Sequence, residues 1–127
     1  MASILIVDDN PANLKLLAFL LTSHGHSVRT ASDGDRALAA VAAEKPALIL
    51  MDLQLPGADG LTITRQLKAD PATRAIPVIA VTAFAMKGDD ERALAAGCDA
   101  YVTKPIDTRG LPVLVEELLK RAGAAGS

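Results

Sequence analysis

The chain is short of cysteine, of basic runs and of long apolar stretches, and each shortage closes off a class of function. Cys98 is its only cysteine, so no internal disulfide can form and a thiolate zinc cage has no partner thiolates. We read it as a small buried hydrophobe near the start of a strand. Lys and Arg number 13 against 15 Asp and Glu, for a formal charge of −2, and they form no long basic run. A phosphate backbone therefore finds no electrostatic footprint, and nucleic acid is not expected as a direct partner. The first apolar run, Ile4 to Val7, is cut by Asp8 and Asp9, too soon for a signal-peptide core, and nothing approaches the ~20 residues of a membrane span. A soluble, cytoplasmic protein without membrane insertion is the expectation. No repeat or long low-complexity tract is present, and 127 residues, half of them hydrophobic, suit one domain with a single packed core.

Short apolar runs alternate with amphipathic stretches, the pattern of βαβ units around a parallel sheet. Strands are expected near Ser3 to Val7, Ser27 to Ala31, Ala47 to Met51, Val78 to Val81 and Ala100 to Thr103. The first, third and fourth are almost wholly apolar, as strands covered on both faces must be, whereas SVRTA is mixed and AYVT is short; those two belong at the edges. The fold class is α/β, a flavodoxin-like, doubly wound, five-stranded parallel sheet with strand order 2-1-3-4-5 and five helices. Helix one starts with Asn10 as N-cap and Pro11 in the first turn. Its Leu14, Leu17, Ala18 and Leu21 form a core stripe at i, i+3, i+4 and i+7, while Ala12, Leu16 and Phe19 point away from it and could hold a partner helix. Further helices fit Asp35 to Ala43, Leu61 to Ala69, Asp89 to Ala96 and Leu111 to Arg121, the last with Leu111, Leu114, Val115 and Leu118 as its stripe. The terminal GAAGS, small and flexible, reads as a frayed end or the stub of a linker. His24 and His26, on either side of Gly25, read as solvated loop residues.

The chemistry lies where strands stop: Asp8 and Asp9 after ILIV, Asp52 after LILM, Thr82 after VIAV, and Lys104 with Pro105 after AYVT. The carboxyl ends of strands in an open α/β sheet are where ligands bind, so these residues are expected to converge on one crevice. Three carboxylates at one crevice repel by roughly 3 kcal/mol per pair at about 5 Å and an effective dielectric of about 20. Either a carboxylate takes up a proton or a hard divalent cation binds, and Mg²⁺ uses one or two carboxylates with other oxygens and waters. An aspartate beside Mg²⁺, with a lysine and a hydroxyl in reach, suits acceptance of a phosphoryl group, because cation and ammonium stabilise charge on the transferring oxygens. Asp52 is the candidate nucleophile.

ILIVDDN, LILMDLQLPGADG, VIAVTAFAMKGD and AGCDAYVTKPI, in that order and spacing, resemble the receiver domain of two-component response regulators, from Ser3 to about Arg121. On this resemblance residues 1–122 form the receiver domain and 123–127 a flexible C-terminal tail. It implies that Asp8 and Asp9 help bind Mg²⁺, with Asp9 the direct ligand, that Asp52 takes phosphate, and that the main-chain carbonyl of Gln54 completes the metal site. It also implies that Thr82 and Lys104 contact the phosphoryl group, that Tyr101 changes rotamer with Thr82 on activation, and that the Lys104 to Pro105 bond is cis. Phe84 would stand near the path of the water that hydrolyses phospho-Asp52. The implied donor is a histidine kinase or histidine phosphotransfer protein, with Ala12, Leu16 and Phe19 as docking face, and the output is contact with a downstream protein. The chain would be a phosphoacceptor signalling domain rather than an enzyme, catalysing its own phosphoryl transfer and autodephosphorylation. A receiver segment of a hybrid kinase or larger regulator is an alternative, as is a phosphate-independent adaptor. A haloacid-dehalogenase-like phosphatase uses the same groups, but places its nucleophile first, in a DxD motif; here the acidic pair comes first.

Overall fold

Alternation along each central strand sends successive apolar residues to opposite faces, so a strand such as ILIV must be covered twice. The computed structural model describes residues 2–55, 60–82, 89–104 and 106–126, with the backbone alone for 89–90 and 123–126. Its strands are β1 (Ser3–Val7), β2 (Ser27–Ala31), β3 (Leu48–Asp52), β4 (Val78–Thr82) and β5 (Ala100–Thr103). Between and after them run α1 (Pro11–Ser23), α2 (Gly34–Ala43), α3 (Gly60–Ala69), α4 (Asp89–Ala96) and α5 (Gly110–Gly126). The strands pair in parallel in the order β2-β1-β3-β4-β5, the expected order, with the mixed and short strands at the edges.

Two cores follow from the alternation. On one face Ile4, Ile6, Leu48, Leu50, Ile79 and Val81 pack against Leu17 and Leu21 of α1 and Leu111, Val115 and Leu118 of α5. On the other, Leu5, Val7, Ile49, Met51, Val78 and Ala80 meet Ala37 and Val41 of α2, Ile63 and Leu67 of α3 and Ala93 of α4. Leu14, Ala18 and Leu114 pack on the first core while partly buried, so both expected stripes are present. The opposite face of α1 is open: Phe19 is 76% and Leu16 45% exposed, and Ala12 is exposed.

Several boundaries depart from the sequence reading, each for a reason of hydrogen bonding or propensity. β3 and β4 extend one residue further, so that Asp52 and Thr82 belong to the ladder and not to the loops after it. Asp52 pairs with Val81, and the Leu53 N–H donates to the Val81 carbonyl at 2.9 Å. α5 continues through Gly126, past the expected end at Arg121; alanine at 122, 124 and 125 has the best helix propensity, and the backbone simply propagates. The start of α1 matches expectation: the Asn10 side chain accepts from the Ala12 and Asn13 N–H groups and Pro11 occupies the first turn. Its end is closed by Gly25, whose N–H donates to the Thr22 carbonyl at 3.0 Å and whose φ of 89° lets the next N–H, that of His26, reach back to the Leu21 carbonyl at 3.2 Å.

His26 corrects the sequence reading outright. It is 7% exposed, and its Nε2 lies 3.1 Å from Glu116 Oε1 on α5. A loop position three residues past α1 looked solvated, but the return into β2 carries it under the neighbouring helix.

Candidate functional site

Parallel strands of similar length end at one level, and the loops leaving them share that edge. There Asp8, Asp9 and Asp52 each bring a carboxylate oxygen within 4.8 Å of the others. Asp8 is held by its backbone N–H, which donates to the Ala31 carbonyl of β2 at 3.0 Å. Its Oδ1 accepts from the Asn10 N–H at 2.9 Å, so the residue that caps α1 also orients the first carboxylate. Asp52 accepts on Oδ1 from the Gln54 N–H at 3.0 Å. Asp8 and Asp52 are 1% and 2% exposed, whereas Asp9 faces solvent.

Lys104 arrives from the far side of the sheet. Its N–H donates to the Thr82 carbonyl at 2.7 Å, which fixes the chain just past β5. Its Nζ then lies 3.2 Å from Asp8 Oδ2 and 3.5 Å from Asp52 Oδ2. One ammonium therefore bridges the two buried carboxylates and leaves the cluster negative. Burial holds the Asp52 carboxyl above its ordinary value; the Gln54 N–H opposes this, the Asp8 charge adds to it, and Lys104 opposes it. Thr82 is 2% exposed at the end of β4.

The sequence reading thus brings Asp8, Asp9, Asp52 and Lys104 together, with Thr82 at the end of the adjacent strand. Gln54 is exposed on the loop after β3 and touches the site through its main chain. Tyr101 is half-buried, packs on the core that lies under α2, α3 and α4, and lines a cavity of about 390 Å³ with Ile106, Leu111 and Leu114. Pro105, with its peptide geometry, and Phe84 lie outside the described residues. Cys98 is 5% exposed, as expected, and burial pushes its thiol up, which suits packing and not reactivity.

Gly60 is a site residue that pattern reading missed. A Cβ there would stand 2.3 Å from the Asp52 carbonyl oxygen and 2.9 Å from Leu53 Cα, so only glycine lets α3 start against the strand that presents Asp52. In the sequence Gly60 stands just before the helix expected at Leu61 to Ala69, and its close approach to β3 has no local signature.

The donor set suits a hard cation. All three carboxylates offer oxygen, the lysine offsets part of their charge, and the open side at Asp9 leaves room for the waters that Mg²⁺ retains. Among the described residues no other group of three or more His, Cys, Asp or Glu side chains gathers in this way.

Comparison with known proteins agrees with this geometry. Residues 4–116 match the family model described as the response regulator receiver domain. The chain is 46% identical over 123 residues to the polar-differentiation response regulator DivK of Brucella anthropi, covering 97% of this chain and 98% of that one. The DivK of Brucella melitensis matches to the same extent. A CheY-like receiver domain protein from Methanospirillum hungatei superposes with a TM-score of 0.91 at 30% identity, covering 98% of each chain. The receiver domain of a sensor histidine kinase from Pseudomonas aeruginosa, solved with a magnesium ion in its active-site cleft, superposes with a TM-score of 0.86 at 35% identity over 94% of this chain and 98% of that one. No helix among the described residues is long and apolar enough to cross a membrane. With its sheet order, its acidic cluster and its bridging lysine, this chain belongs to the response regulator receiver domain family of two-component phosphorelay signalling.

Proposed function

We propose that Asp52 accepts a phosphoryl group in a Mg²⁺-dependent step and that the modified site changes a protein-binding surface. The observation that carries this reading is the bridge from Lys104 to Asp8 and Asp52, at 3.2 and 3.5 Å, within a cluster that still has excess negative charge. Asp9, Asp52 and the Gln54 carbonyl would hold Mg²⁺, with Asp8 supporting it. Bound there, Mg²⁺ supplies positive charge to the oxygens of the transferring group.

An Asp52 carboxylate oxygen attacks phosphorus in line, the bond from phosphorus to the donor's imidazole nitrogen breaks, and its electron pair returns to the imidazole. Lys104 follows the new charge from carboxylate to phosphoryl oxygen, and the Thr82 hydroxyl approaches another. Thr82 pairs with Thr103 across the β4 and β5 ladder, and Ala80 with Tyr101, so a shift at Thr82 has a short path to the Tyr101 ring. Tyr101 would then turn inward and reshape the surface over β5 and α5 that a downstream protein reads. Transfer and later hydrolysis are catalysed by the chain's own groups, which makes it a signalling acceptor.

The donor is a histidine kinase or histidine phosphotransfer protein. Ala12, Leu16 and Phe19 leave an apolar face on α1, whose N-cap Asn10 also binds Asp8. A donor helix laid on that face would bring its phosphohistidine toward Asp52.

Intact-mass measurement with an acyl phosphate as donor tests the reading. One phosphoryl mass should be added in Mg²⁺, and none under chelation or in Asp52→Asn. Addition that survives either change would overturn it.

A further inference from the structure

At the end of the sheet opposite Asp52, the loop before β4 and the later turns of α5 enclose a cavity of about 390 Å³, lined by Lys68, Arg74, Pro77, Asp99, Leu118 and Arg121 among others. Its size lies within the ~300 to 1,000 Å³ of small-molecule sites. Three cations face one carboxylate in it, although the chain as a whole carries a formal charge of −2. Pro77 and Leu118 are buried and give it an apolar wall.

The carboxylate is already engaged. Asp99 Oδ2 accepts from the Val78 N–H at 2.8 Å and lies 3.1 Å from Lys68 Nζ. Lys68 directs its ammonium protons to Asp99 and to the Arg74 and Ile76 carbonyls, the last two at 3.2 and 2.7 Å, so none is left over. Its Cγ lies 2.6 Å from where a Cβ on Gly97 would stand, so the lysine stem is packed down and the loop that carries Arg74 is tied to it. Arg74 and Arg121 are different. Among the described residues neither guanidinium has a hydrogen bond or an ion pair. Glu117 stands one turn before Arg121 on α5, the spacing at which such pairs form, and does not engage it.

A guanidinium presents its N–H donors in a planar fork that matches phosphate oxygens. Two of them on one cavity suit a doubly charged anion, and the wall of Pro77 and Leu118 suits an organic group attached to it. We propose that Arg74 and Arg121 bind the phosphate of a small organic phosphate monoester, remote from Asp52, and that the bound ligand joins the loop before β4 to α5. Such an ester takes up a proton near pH about 6, so binding weakens on acidification.

Phenyl phosphate is the probe, because it carries the dianion, an apolar ring and a stable ester bond. The full isotope-labelled chain is titrated with it in chelator, where the acidic cluster repels anions, and the arginine Nε–H resonances are followed by NMR. The Arg74 and Arg121 signals should shift together and saturate at one bound ligand per chain. Arg74→Gln and Arg121→Gln, both at exposed positions, should each weaken binding by about fivefold or more with the fold intact, the scale of one hydrogen-bonded contact to a charged group. Lys120→Gln removes the same charge from α5 outside this cavity and should weaken binding by less than about twofold, since salt screens a charge that makes no contact. Inorganic phosphate should move the same two signals with severalfold weaker affinity. Shifts that fail to saturate, movement of only one of the two arginines, equal sensitivity to Lys120→Gln and Arg121→Gln, or equal affinity for inorganic phosphate and phenyl phosphate would each overturn the site.

Discussion

Replacing Asp52 with Asn tests the electrostatics of the cluster more sharply than any assay of labelling. At the 4.8 Å limit of the cluster the Asp8 and Asp52 charges repel by about 3 kcal/mol at an effective dielectric of about 20. Lys104, at 3.5 Å from Asp52, returns about 5 kcal/mol on the same scale. The exposed Asp9 adds a weaker repulsion, so the charge terms nearly cancel and burial decides. At 2% exposure the ionised Asp52 loses several kcal/mol of hydration, of which the Gln54 N–H returns about 1.5 to 3 kcal/mol. Asparagine keeps that acceptor and sheds the charge. In chelator at neutral pH, Asp52→Asn should therefore be more stable than the native chain by about 1 to 3 kcal/mol, or roughly 3 to 6 °C in Tm per kcal/mol at this size. The folded carboxyl titrates above its ordinary value, so the folded chain binds more protons than the unfolded one within that window. Native stability accordingly falls as pH rises through the window, and the advantage of Asn disappears at more acidic pH. Mg²⁺ stabilises the native chain by mass action and the variant less, narrowing or reversing the gap. Urea unfolding at several pH values, with chelator and with Mg²⁺, reads all of this. An Asn variant no more stable than the native chain in chelator at neutral pH would refute the reasoning.

Lys104→Met should cost the metal-free chain about 2 kcal/mol, between the values for surface and buried ion pairs, with Mg²⁺ restoring most of it; unchanged unfolding in chelator would remove the bridge as a source of stability. Gly60→Ala should destabilise by about 1 to 3 kcal/mol, the usual range for overpacking, because the atoms it meets are the backbone of Asp52 and Leu53; a neutral effect in urea unfolding would mean that α3 shifts freely. Phe19→Ala, at a 76% exposed position, should change stability by no more than about 0.5 kcal/mol and slow transfer from a phosphotransfer protein while leaving acyl phosphate labelling intact; equal slowing in both assays would deny docking. Tyr101 should change rotamer between the native chain and a complex with a phosphoryl mimic, and a single rotamer in both would refute its part in switching.

Apolar periodicity alone determined which strands are central, which helix faces are buried and where α1 begins, because burial on two faces and a capped first turn leave local marks on the residues involved. The strand-end rule then sufficed to bring Asp8, Asp9, Asp52 and Lys104 to one crevice, since parallel strands share a carboxyl edge. Only the tertiary structure decided that Asp52 sits inside the ladder, that Lys104 bridges two particular carboxylates, and that Gly60 must lack a side chain. Those facts depend on ladder register and on distances between elements, which no local pattern encodes. His26 makes the same point at the other end of the sheet: its neighbours in sequence suggest a solvated turn, and its burial comes from Glu116 and α5, a helix that the chain lays down only after the remaining four strands.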